Sequence, residues 1–202
     1  MDRRSLIATA LASLAAGPVL AQDEAPPLAQ PGVAPPPPGA HTSTYNDDEV
    51  THRVSDFLGV SAESAGAAVE KAFKDNGRPT GYIAGEEGSG AFVFGLRYGR
   101  GLLYMKDLPT TTVFWQGPSV GFDAGGNASR VFTLCYNLQY PDAIFRRFPG
   151  VEGTAYFIGG IGVNYARAEG IVLAPMRVGV GLRLGANLGY LAYTRQRNIF
   201  PL

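Results

Sequence analysis

The sequence predicts a mainly β fold, a small closed or nearly closed antiparallel β-barrel with one or two N-terminal α-helices packed on it. Three observations carry this. From Arg78 onward no long stretch sustains a 3.6-residue period, and most of the 27 glycines of the 202-residue chain fall there among Tyr, Phe, Val and Leu, the grammar of short strands and tight turns. Several of these segments put apolar residues on one parity and glycine on the other. Across Arg177 to Asn187 one parity reads Val178, Val180, Leu182, Leu184 and Ala186 while the other holds Gly179, Gly181 and Gly185; glycine on one face lets a backbone approach or a strand bend as a barrel closes. Third, two amphipathic helical segments precede the β region, and the second has an apolar stripe made mostly of alanine, which suits close packing against a sheet.

In chain order, Met1 to Ala21 reads as a cleaved secretory signal peptide. Arg3 and Arg4 open it, Ser5 to Ala16 is a short run of apolar and small residues, and Val19-Leu20-Ala21 places small residues at the cleavage positions before Gln22. Arg3-Arg4 followed by Ser5-Leu6 also loosely resembles a twin-arginine signal. The apolar run is too short for a membrane anchor and is broken by Gly17-Pro18. Residues 22–44 are rich in Pro, Ala and Gly, cannot bury enough apolar surface to order themselves, and read as a disordered tether. Residues 45–202 are then left to form a single β-barrel domain.

A helix is expected over Asp47 to Leu58, where Val50, Val54, Phe57 and Leu58 share one face and Asp47, Asp48 and Glu49 complement the dipole of the first turn. A second is expected over Ala62 to Asp75, with Ser61 as N-cap, the stripe Ala65, Ala68, Val69, Ala72 and Phe73, and Asn76-Gly77 as the stop. The expected strands are Gly81–Ala84, Ala91–Tyr98, Gly101–Lys106, Thr111–Gln116, Val131–Leu138, Ala155–Ala166, Ile171–Ala174, Met176–Leu184 and Ala186–Thr194, with corners at Arg100-Gly101, Gly117-Pro118 and around Leu184-Gly185 and a short helical stretch at Tyr140–Arg147.

The chain carries 17 basic and 17 acidic residues. Removal of Asp2, Arg3 and Arg4 with the signal leaves fifteen basic and sixteen acidic residues, which gives no field to attract nucleic acid or anionic lipid. The single Cys135 lies in the apolar run Val131–Leu138 and reads as a buried, inert thiol; no disulfide framework exists.

Candidate chemistry is sparse. Gly117-Pro118-Ser119-Val120-Gly121 matches a nucleophile-elbow pattern, but no helix is expected after it, and His41 and His52 both lie upstream, against the Ser, acid, His order of such hydrolases. Gly125-Gly126-Asn127 suits a turn better than a phosphate cradle. Glu86-Glu87 could supply paired carboxylates, yet adjacent strand residues face opposite ways, and a solvated turn running into Gly88-Ser89-Gly90 is the expectation. Two histidines and one cysteine make no metal-ligand set, and no cofactor is implied. Arg97 and Arg183 stand inside apolar strands near Trp115, Tyr98, Tyr104 and Tyr136. One reading pairs the arginines with Asp123 or Glu152; the sharper one makes Trp115, Arg97, Tyr104, Arg183 and Tyr136 the lining of a pocket for a lipid or glycolipid head group.

The runs GYIAGEEGSGAFVFGLRYGRGLLYMK, FWQGPSVGFDAGGNASRVFTLCYNL, GVEGTAYFIGGIGVNYA and LAPMRVGVGLRLGANLGYL closely resemble the EipA-like family of exported envelope-integrity proteins of Gram-negative bacteria, over about Tyr45 to Thr194. The resemblance implies a periplasmic protein with a small β-barrel domain, a role in maintaining the cell envelope, no established enzymatic activity and no catalytic residue to carry over. A more distant likeness, through Trp115, Pro118-Ser119, Gly125-Gly126 and Val131–Leu138, is to the lipid-binding SYLF domains, and it raises lipid binding among the molecular routes. The resulting expectation is an exported, non-enzymatic barrel that binds a lipid, a glycolipid or an envelope partner protein, with no nucleic acid partner, no integral membrane span and no oligomeric state implied. The competing readings are an outer-membrane barrel, disfavoured by strands shorter than the roughly 9 to 11 residues needed to span, and an envelope hydrolase acting on cell wall or glycolipid.

Overall fold

The computed structural model describes residues 43–91, 94–120, 129–150, 155–178 and 189–197. Helix α1 spans Asp47–Leu58 and begins in a capping box: the Asn46 side chain accepts the Glu49 N–H at 2.8 Å, and the Glu49 carboxylate accepts the Asn46 N–H at 3.0 Å. It ends at Gly59, whose φ of 69° is the left-handed cap. Helix α2 spans Ala62–Asn76, with Ser61 accepting the Ser64 N–H. Their shared apolar face, Val50, Val54, Leu58, Ala65, Ala68, Val69 and Ala72, is buried on one side of the sheet against Tyr82, Phe132, Leu134, Tyr136, Ala174 and Met176. Alanine at the contact keeps the helix close to these rings. Lys106 reaches back from the sheet to Glu49 at 3.0 Å and ties α1 down.

The strands are β1 Gly81–Ala91, β2 Phe94–Met105, β3 Thr111–Val120, β4 Ser129–Tyr136, β5 Arg147–Pro149, β6 Tyr156–Ile158, β7 Ile161–Val163, β8 Ala166–Ala168, β9 Ile171–Val178 and β10 Tyr190–Thr194. All described pairings are antiparallel, in the order β5-β10-β3-β2-β1-β4-β9-β7-β6, with β8 also on β9. A lone bridge between Gly150 and Ala166 joins β5 to β8 and brings the curled sheet round to near closure. Its inner face holds Ile83, Leu103, Val113, Trp115, Val131, Cys135, Phe148, Leu173, Leu191 and Tyr193 as one packed core. The barrel with two N-terminal helices on its outside is thus the predicted architecture.

Strand β9 forks. Its first part, Ile171–Leu173, pairs with β8, and its last, Met176–Val178, pairs with β7. Pro175 sits at the branch, opposite Thr133 on β4, and its carbonyl accepts the Asn164 N–H at 3.4 Å on the fork side. In an antiparallel ladder the N–H and C=O of one residue point to the same neighbour. The N–H that proline lacks therefore falls in the gap between β8 and β7, where no ladder needs it.

The strand boundaries depart from expectation in instructive ways. Gly81–Ala84, Ala91–Tyr98 and Gly101–Lys106 were expected as three pieces; the chain makes two strands of 11 and 12 residues, continuous through Glu86-Glu87 and through Arg100-Gly101. Neither pair is a corner or a loop. The glycines serve close approach instead: a Cβ on Gly85 would lie 2.7 Å from the Gly101 Cα and from Trp115 Cη2. Likewise Gly117-Pro118 is no corner, since β3 runs on to Val120 with Pro118 opposite Leu96. The proline at 175 does not split β9, whereas Ala155–Ala166, expected as one strand, is divided by the Gly159-Gly160 turn, where φ is 59° and 82°. The helical stretch at Tyr140–Arg147 is one 3₁₀ turn, Pro141–Ile144. Strand lengths of 10 to 12 in β1–β3 also remove length as an argument against a membrane-spanning barrel. Among the described residues no helix is long and apolar enough to cross a membrane.

Candidate functional site

Alternation along β1 sends Glu86 outward and Glu87 into the barrel. There Glu87 meets Arg177 of β9: Nε donates to Oε1 at 3.2 Å and Nη2 to Oε2 at 3.1 Å, a two-pronged ion pair in which both side chains are about 10% exposed. The Trp115 indole of β3 donates a third bond, Nε1 to Oε2 at 2.7 Å, and Arg177 Nη1 continues to the Asn164 side-chain oxygen at 3.3 Å. Arg97 of β2 faces the same cluster and donates its Nε to the Pro118 carbonyl at 3.0 Å. The group sits at the β9 fork, where Asn164 bridges β7 and β8.

Burial alone would raise the Glu87 carboxyl; the two guanidiniums and the bonds from Arg177 and Trp115 outweigh it and hold the group below the usual carboxylate range. Arg97 is lowered, first by burial and then by the like charge of Arg177, while Glu87 opposes the shift. A carboxylate with both oxygens engaged by three donors cannot readily accept a proton or attack a bond. Beside it, Arg97, Phe148, Asn164, Ala166, Tyr190 and Leu191 border a space of only about 10 Å³, room for about one water. Among the described residues, the inward side chains around this cluster form a packed core.

A larger space lies on the outward face, on the part of the sheet away from α1 and α2. Register places Glu86, Arg100, Phe114 and Thr194 in one row across β1, β2, β3 and β10, and Gly88, Tyr98, Gln116 and Ala192 in the next. With Gly99, Trp115 and Arg197 these rows line a groove of about 560 Å³.

The predicted pocket residues do not share one lining. Trp115 and Arg97 are inside the barrel, next to each other in the polar cluster. Tyr104 and Tyr136 point to the opposite side of the sheet: Tyr104 stacks on Tyr82 at 4.8 Å, and Tyr136 is buried beneath the helices with its hydroxyl lacking a hydrogen-bond partner. The cause is strand parity, which puts 97 and 115 on one face and 104 and 136 on the other. Arg183, with Asp123, Glu152, Gly125-Gly126, Asn127 and Leu184-Gly185, lies outside the described residues, as do the signal segment and most of the tether. Ser119 belongs to β3 and pairs with Gly95, so a strand occupies the place of the nucleophile elbow. Glu87, expected in a solvated turn, is the residue that the sequence reading misplaced; its inward parity beside Ile83 and Gly85 was the available signal. Cys135 is buried, as expected. Among the described residues no group of His, Cys, Asp and Glu could hold a metal ion.

The family model for envelope integrity protein A matches residues 43–202. A solved structure, a beta-barrel-like uncharacterized protein from Brucella abortus, is 47% identical, with a TM-score of 0.73; the match covers 80% of this chain and 100% of that one. No curated protein matches the chain.

Proposed function

The chain belongs to the envelope integrity protein A family, and we propose on that premise that it is an exported periplasmic protein that maintains cell-envelope integrity by binding, without catalysis. The family match over residues 43–202 carries the reading. The export signal read in Met1–Ala21 supports the compartment. The engagement of every Glu87 oxygen supports the absence of acid–base chemistry. An envelope hydrolase is disfavoured because Glu86 and Glu87 face opposite sides of the sheet and cannot flank one glycosidic bond. An outer-membrane barrel is disfavoured because α1 and α2 cover the outside of β1, β4 and β9, and Glu86, Arg100, Thr112 and Gln116 stand at outward positions where lipid would require an apolar band. The space on the outward face of β1, β2, β3 and β10 directs binding to the outside of the barrel, toward a lipid or glycolipid head group or a partner protein. The test is complementation of a strain lacking the gene. The full chain and Ser119→Ala should both restore detergent resistance and fractionate with the periplasm; a chain lacking residues 1–21 should restore nothing. Loss of complementation by a folded Ser119→Ala would overturn the non-catalytic reading.

A further inference from the structure

We propose that the outward groove across β1, β2, β3 and β10 is a saccharide-binding site. Its volume of about 560 Å³ falls within the roughly 300–1,000 Å³ of small-ligand sites. The lining joins three aromatic residues, Tyr98, Phe114 and the largely buried Trp115, to planar polar groups: the Glu86 carboxylate, the Arg100 and Arg197 guanidiniums and the Gln116 amide. Gln116, 4% exposed, also lines the groove, and among the described residues its amide makes no hydrogen bond. The amide is thus available to a ligand's hydroxyls. Glu86, Arg100 and Arg197 likewise spend no side-chain bond on the described residues, although Glu86 and Arg100 are cross-strand neighbours.

This combination discriminates among ligand classes. A sugar ring presents C–H groups on its faces, which pack on aromatic rings, and vicinal hydroxyls at its edge, which pair with the two parallel donors or acceptors of a guanidinium, carboxylate or amide. An acyl chain needs aliphatic walls, and the lining has none. A peptide adding a strand needs a free edge, but β1, β2, β3 and β10 each have a paired strand on both sides. Nucleic acid needs a strongly basic track, whereas one carboxylate offsets the two arginines here.

Gly88 supplies a means of testing the groove without disturbing the fold. A Cβ there meets nothing within 4 Å, so a side chain at this strand position grows into the groove alone. The inference rests on the binding role proposed above and names its ligand class. The mature chain, residues 22–202, is titrated calorimetrically with chitotetraose, maltohexaose, hexagalacturonate and polysaccharide freed of lipid from the producing cell's own envelope. Saturable binding of at least one saccharide with Kd below about 1 mM is expected. Gly88→Leu and Phe114→Ala should each weaken it at least tenfold, with the circular dichroism spectrum of the parent. No binding by any of the four, equal binding by folded Gly88→Leu, or binding only to phospholipid vesicles would overturn the proposal. Those failures leave complementation by the unaltered chain intact, and failure of complementation leaves the titrations readable, so the two readings fall separately.

Discussion

Replacing Glu87 by Gln removes the only negative charge that the described residues place between two inward-facing guanidiniums while keeping the shape of the side chain. The amide retains one acceptor for Arg177 or Trp115 but turns its other end into a donor facing donors. Removing one partner of a buried pair costs about 3–5 kcal/mol because the other charge is stranded; the retained shape places Glu87→Gln at the low end, about 3 kcal/mol. At roughly 2–4 °C per kcal/mol for a domain of this size, the melting temperature should fall by about 6–12 °C. The effect has a pH signature. The folded-state carboxyl is held below its unfolded value, so its contribution is fully present above about pH 4.5 and is lost as pH falls through that value toward the folded pKa. The gap between parent and Glu87→Gln should therefore be widest near neutral pH and shrink below pH 4.5. Urea unfolding at pH 7 and pH 3.5, followed by circular dichroism, measures both. A double-mutant cycle with Arg177→Met adds a second reading: the double variant should be more stable than the sum of the singles by about 1.5 kcal/mol or more. A loss below about 1 kcal/mol at pH 7, or a gap that widens in acid, would refute the assignment of Glu87 as the counter-ion of this core.

Two further outcomes follow from the packing. In Gly99→Ala the new Cβ would overlap Cε2, Cζ2 and Nε1 of the Trp115 indole; the ring must shift, at about 1–3 kcal/mol for overpacking, and the emission of this single Trp, now 2% exposed, should move to the red, with an unchanged spectrum and stability counting against the contact. Burial pushes the Cys135 thiol well above its usual range, so a thiol reagent at pH 8 should label the native chain no faster than it unfolds and label it fully in urea; rapid native labelling would show an accessible thiol.

Local signals made the helices legible before any coordinates. Ser61 and Asn76-Gly77 are chemical start and stop marks, and Val50, Val54, Ala65, Ala68 and Val69 are spaced for one face; the Asn46 capping box and the Gly59 cap of α1 appeared only in the structure. The β class was legible from composition, but strand continuity was not. Gly85, Gly99, Gly101 and Pro118 look like breaks when only neighbours in sequence are considered; their role appears only with the strands across the sheet, where a bare Cα admits the indole or the next backbone. Register decides which of Arg97, Tyr104, Trp115 and Tyr136 can meet, and register is a long-range property. The buried pair joins residues 90 positions apart, a separation invisible to motif spacing.

The place of β10 in the sheet has a consequence for how this protein is made. It pairs Tyr193 with Trp115 and Leu191 with Phe148, filling the slot between β3 and β5, yet it is the last of the described strands in sequence. Until residues 190–194 emerge, those two neighbours present bare edges. Contacts of such long separation also form slowly. The sheet is thus completed only when its C-terminal strand is in place.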